Sequence, residues 1–137
     1  MSQSTKTYGI DSSVFVRLLT GHPESDFQKT ANALKALLDR EPTAELKVSN
    51  QVIGESYITL QHFYGLSKSD SRKAILQLLT SGAVSPLNGK PVLDLLLSSA
   101  GLGLVDRLIA QDYESSGLRV LTNDKRMSKL PGCELLR

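Results

Sequence analysis

The chain has no tryptophan, one cysteine, four tyrosines and three phenylalanines among 137 residues. Binding single-stranded nucleic acid by base stacking needs aromatic platforms, so this composition disfavours that mode. The lone Cys133 excludes an internal disulfide and fits a reducing compartment. No stretch approaches the run of about 18 apolar residues that a membrane span needs, and residues 1–7 carry no apolar signal region. The expectation is a cytoplasmic protein without membrane association. An excess of one charge is also missing. The formal net charge is +2, and the pI of about 8.7 lies below the value of about 9 that marks domains binding polyanions by charge alone. A nucleic-acid partner would then be held chiefly through its phosphates.

Several familiar sites are missing too. Gly101-Leu102-Gly103 lacks the third glycine and the preceding strand of a phosphate-binding loop. There is no G-x-S-x-G elbow, and two histidines with one cysteine give neither a nucleophilic triad nor a zinc site of usual spacing. An aspartyl-nucleophile phosphatase would need a second aspartate two positions after Asp11, where Ser13 stands. A phospho-receiver domain would need an adjacent acidic pair at the end of its first strand, and Asp11 stands alone.

What is present is an alternation of strand and helix signals. The length suits one domain, taken as 1–137 with residues 1–6 as a disordered tail. The run Tyr8-Gly9-Ile10 ends in Asp11, and helical periodicity begins at Ser12. Apolar spacing predicts helices over 12–20, 24–40, roughly 51–64, 68–80, 92–100 and 104–115. Strand signals fall at 46–48, 84–87 and 118–121, with a last edge strand at 133–136. This is the βα pattern of a three-layer α/β/α domain with a short parallel sheet of four to five strands.

Four acids occupy similar places in these units. Asp11 ends the first strand, Asp124 follows the penultimate strand by two residues, and Glu55 and Asp106 lie near helix starts. Carboxylates gathered at strand ends suit hard cations such as Mg²⁺ or Mn²⁺, and would repel one another without one. Taken singly, each has a plainer use. Asp11 and Asp124 are good helix caps, Asp106 in a first turn complements the helix dipole, and Glu55 faces away from its helix's apolar stripe.

Taken jointly, the segments Ile10-Asp11-Ser12-Ser13, Val52-Ile53-Gly54-Glu55, Leu104-Val105-Asp106-Arg107-Leu108-Ile109-Ala110 and Leu121-Thr122-Asn123-Asp124 resemble the PIN domain. The likeness is to its small single-domain members typified by VapC toxins. It implies a metal-dependent endoribonuclease whose four acids, here Asp11, Glu55, Asp106 and Asp124, converge at the sheet's carboxyl edge around Mg²⁺ or Mn²⁺. It also implies supporting roles for Ser12, Ser13 and Thr122 in orienting carboxylates or metal-bound water. Arg107 and Asn123 depart from the residues usual at their places in the family.

Arg17, Arg107, Lys125 and Arg126 lie close in sequence to the acids and are candidate contacts for RNA phosphates, ordinary surface charge being the alternative. By resemblance the partners are RNA, a second copy in a homodimer, and an antitoxin protein entering the groove. The stripes Phe27/Ala31/Leu34/Leu38 and Ile53/Tyr57/Leu60 are candidates for such surfaces, although core is the commoner fate of an apolar stripe. Two other readings stay open: a DNA-directed nuclease, and a catalytically inactive scaffold that binds RNA or protein.

Overall fold

The computed structural model describes residues 6–99 and 101–136. The tail expected at 1–6 falls outside these residues except for Lys6. That residue is tied down, its carbonyl accepting from the Glu45 amide at 3.0 Å and its ammonium pairing with Glu41 at 2.8 Å.

Strand β1 (Thr7–Ile10) passes into helix α1 (Ser12–Thr20), and α2 (Glu24–Arg40) follows the break at His22-Pro23. Then come β2 (Glu45–Val48), α3 (Asn50–His62), α4 (Lys68–Leu79) and the two-residue β3 (Ser85–Pro86). Helices α5 (Lys90–Leu97) and α6 (Leu104–Ser115) lead to β4 (Val120–Thr122), a 3-10 turn (Met127–Lys129) and β5 (Cys133–Leu135). The expected α/β class is met: among the described residues there are six α-helices, and every strand pair is parallel.

Capping chemistry explains the helix starts. Asp11, Ser49 and Ser67 each accept a hydrogen bond from the backbone amide three residues on, opening α1, α3 and α4. The expected limits of α1, α2 and α6 agree with the structure. Helix α5 starts two residues before the expected 92 and ends at Leu97, while the expected end at 100 lies outside the described residues.

The sheet differs from expectation in one respect. Among the described residues five strands form a three-stranded sheet in the order β1-β2-β3 and a separate β4-β5 pair. Register runs from Thr7↔Glu45 to Ile10↔Val48 in the first and from Val120↔Cys133 to Thr122↔Leu135 in the second. Strand alternation in the sequence reports that strands exist, whereas which edges meet depends on long-range packing.

The main core joins Phe15 of α1, Val48 of β2, Ile53 and Leu60 of α3, Ile75 of α4, Val92 of α5 and Leu104 of α6. Burying a side chain of this size stabilises by about 1.5–3 kcal/mol. The Ile53/Tyr57/Leu60 stripe is therefore core rather than a docking surface. Helix α2 behaves differently: it has no fully buried residue, and Leu38 is 37% exposed. A smaller core of Leu102, Val120, Met127 and Cys133 sits under the β4-β5 pair. No helix among the described residues is long and apolar enough to cross a membrane.

Candidate active site

Asp11 lies immediately after β1, at the carboxyl edge of the three-stranded sheet. The Ser13 hydroxyl donates to its Oδ1 at 2.6 Å and the Val14 amide donates to the same oxygen at 3.2 Å. These donors, the Ser13 hydroxyl foremost, hold the carboxyl below the usual carboxylate range. Asp11 is thus an exposed, ionised carboxylate in a fixed orientation, and its capping role coexists with that. Ser13 has the supporting contact expected of it. Ser12 begins α1 beside it, half-buried.

Asp124 is held in a comparable way on the second sheet. Its Oδ1 accepts from the amides of Arg126 at 2.8 Å and Met127 at 3.4 Å, and its own amide donates to Thr122 Oγ1 at 3.0 Å. Thr122, expected to support the fourth acid, contacts its backbone here.

Glu55 and Asp106 are carried by helices that pack against each other. Gly54 faces Leu108 and Val105 at the distance of ordinary contact for an added Cβ, 3.7 and 3.9 Å. Asn50, in the first turn of α3, donates to the Leu108 carbonyl at 2.9 Å and to Gln111 Oε1 at 2.8 Å. Asn88 donates to the same Gln111 oxygen at 3.1 Å and to Asp112 Oδ1 at 2.9 Å. The start of α3 therefore meets the end of α6, so the two helices run antiparallel.

That direction decides where the acids fall. Asp106, at the start of α6, shares a cleft with Tyr57. At 1.5 Å per residue, Tyr57 lies roughly 10 Å along α3 from Asn50 and the sheet edge. Glu55 lines a different cleft, of about 430 Å³, with Ile58, Ile109, Asp112 and Tyr113. Val105 forms a wall of both. These contacts set Glu55 and Asp106 in neighbouring clefts, and the expected convergence of all four acids at the carboxyl edge stays a proposal. Among the described residues, no three His, Cys, Asp or Glu side chains gather as a metal-holding group. The donors are hard oxygens, which suit Mg²⁺ or Mn²⁺.

The candidate phosphate contacts divide similarly. Arg17 pairs with Asp26 at 3.6 Å and donates to the His22 carbonyl at 3.3 Å. Arg107 has a structural use that the sequence does not show. It is only 9% exposed, and its Nε, Nη1 and Nη2 donate to the carbonyls of Leu102, Leu95 and Ser98 at 2.9, 2.8 and 2.9 Å. It therefore stitches the end of α5 to the start of α6, covering carbonyls that a helix terminus leaves unpaired. Burial, and after it the neighbouring Arg72 charge, lower its pKa. Lys125 and Arg126 are exposed. Arg126 reaches the Asp106 cleft, which Lys68 and Arg72 of α4 also line. Those last two cations lie far from the acids in sequence, and no local signal marks them.

Known proteins bear on this arrangement. No curated protein sequence matches the chain. The crystal structure of VapBC2 from Rickettsia felis bound to a DNA fragment from their promoter is similar to it with a TM-score of 0.40 and 17% identity, over 95% of this chain and 97% of that one. The family model of the PIN domain matches residues 8–132, a span that holds β1 from its second residue, β2, β3, β4, the six helices of the described residues and all four acids. On that match, the chain belongs to the PIN domain family.

Proposed function

We propose that this chain is a divalent-metal-dependent endoribonuclease that hydrolyses RNA phosphodiesters and acts as the toxin of a toxin–antitoxin pair. The observation that carries the reading is the family match over residues 8–132 with all four acids inside it, in a family whose members are generally nucleases. Asp11, Asp106 and Asp124 would hold Mg²⁺ or Mn²⁺, and Glu55 would be a further ligand or orient the attacking water. A bound ion of this kind supplies Lewis acidity toward a phosphodiester and makes water more acidic at neutral pH. On the protein's side, Ser13 and the Val14 amide keep Asp11 ionised and pointed, so that it binds a cation without first losing a proton. Asp11 follows β1 at the edge of the three-stranded sheet, and the reading has the other three acids act with it.

The test is cleavage of single-stranded and structured RNA, with DNA in parallel, in Mn²⁺ for the wild type, Asp11→Asn and Asp106→Asn. Loss in both variants is expected, and equal residual activity in all three would sink the proposal. Cleavage of DNA alone would move the chain to the DNA-directed class. A second reading, a catalytically inactive scaffold that binds RNA or protein, is favoured by the lack of a group of three metal-holding side chains among the described residues. Calorimetry with Mn²⁺ separates the two, since a scaffold shows no binding that depends on Asp11.

The partners of this cytoplasmic toxin would be an antitoxin and a second copy of the chain. The half-exposed stripe of α2, with Phe27, Ala31, Leu34 and Leu38, is the face offered to them. A monomer by light scattering at micromolar concentration overturns the homodimer, and a neighbouring gene without a small antitoxin removes the toxin assignment.

A further inference from the structure

The cleft that holds Asp106 has a charge pattern that the acids do not explain. It encloses about 360 Å³ between Tyr57 of α3, the start of α4, the Gly101–Gly103 turn and the start of α6. Lys68, Arg72, Arg107 and Arg126 line it against one carboxylate, Asp106. Among the described residues the ion pairs are Lys6–Glu41, Arg17–Asp26, Lys47–Glu45 and Arg119–Glu134, so Lys68, Arg72 and Arg126 form no ion pair within 4.0 Å and outnumber the one carboxylate of their cleft. The Arg107 guanidinium is spent on carbonyls and lends its field without making contact. Unneutralised cations facing one another across a concave surface repel, and an anion relieves that repulsion.

We infer that this cleft is the seat of a nucleic-acid backbone, with Lys68, Arg72 and Arg126 holding successive phosphodiesters across Asp106. Lys68 and Arg72 stand four residues apart on α4, a spacing of about one helical turn, and Arg126 approaches from beyond β4. Cations so spread suit a repeating anion better than a single compact one. The turn wall is low, because Gly101 and Gly103 have no side chain and a Cβ at either would meet nothing within 4 Å. The inference rests on the nuclease reading for the identity of the polymer, and it assigns the strand's path to α4 and the loop after β4 rather than to Arg17 or Arg107.

The experiment measures anisotropy of a fluorescent single-stranded RNA with the full chain in EDTA, across a salt series. Lys68→Gln/Arg72→Gln/Arg126→Gln is compared with Lys29→Gln/Lys35→Gln/Lys90→Gln, which removes the same charge from exposed positions elsewhere. Each phosphate contact to a single strand contributes about 0.7 to the slope of log affinity against log salt. The cleft variant is expected to flatten that slope by about 2, and the control to leave it near the wild-type value. Equal slopes for the two variants overturn the inference, as does inorganic phosphate competing as well as RNA per phosphate. The single variants Lys68→Gln and Arg126→Gln, both at exposed positions, give the same reading at about 0.7 each should the triple variant unfold. Because EDTA removes any need for cleavage, a flattened slope with no nuclease activity sinks the nuclease reading alone. Cleavage with an unchanged slope sinks the cleft alone.

Discussion

Replacing Arg107 tests whether this arginine is a structural clamp or a substrate contact. Its three donors bond carbonyls at 2.8–2.9 Å, and the side chain is almost wholly covered. A hydrogen bond to a charged group is worth about 1.5–3 kcal/mol net. The three do not add in full, since Ser98, Ser99 and Gly101 are exposed and the freed carbonyls can turn toward water. Removing the guanidinium also returns its own desolvation cost. Arg107→Ala is therefore expected to cost about 2–4 kcal/mol. For a domain of this length that lowers Tm by about 10 °C. Arg107→Lys keeps a cation at the end of α5 but loses the planar fork, so it should fall between the two. Urea denaturation with linear extrapolation measures the difference. If Arg107→Ala stays within about 0.5 kcal/mol of the wild type, the clamp is wrong. Wild-type stability combined with weakened RNA binding would restore the phosphate role.

Three other outcomes follow from the same structure. Gly54→Ala should stabilise α3 by about 0.5–1 kcal/mol, because its Cβ would meet Leu108 and Val105 at ordinary contact distance; a fall in the urea midpoint would mean that α3 and α6 pack closer than described. Asn50→Ala should cost about 2 kcal/mol through two buried hydrogen bonds, and Asn50→Asp more, since it sets a carboxylate against the Leu108 carbonyl and Gln111 Oε1. A smaller loss for Asp than for Ala would reverse the donor assignment. Asp11's folded pKa is depressed, so its contribution is present above the unfolded value of about 4 and fades as pH falls through the lower folded value. Ser13→Ala removes the larger cause and should raise the Asp11 carboxyl pKa seen by NMR titration; an unmoved titration would show that the hydroxyl contributes nothing.

The residues that were legible in sequence share a property: their evidence is local. Asp11, Ser49 and Ser67 cap helices by reaching three residues forward, and the apolar period that follows each is complete within the helix itself. In sequence Arg107 is visible as a departure from the family's usual residue and as a candidate phosphate contact. Its meaning lies in Leu95, Ser98 and Leu102, which meet it only once α5 folds back on α6. Lys68 and Arg72 carry no local sign of a role, since nothing nearby in the chain announces Arg126 or Asp106 across a cleft.

By itself, then, the sequence determined the order and nature of the elements and the caps that start them, because these follow from propensity and periodicity within a few residues; the family came from the resemblance of four short segments and the match over residues 8–132. The tertiary structure alone decided that α3 and α6 run antiparallel, that β4 and β5 pair apart from β1, and that Asp106 shares a cleft with Lys68, Arg72 and Arg126. Those outcomes depend on which buried faces meet across long stretches of chain. No spacing of residues along the sequence encodes them.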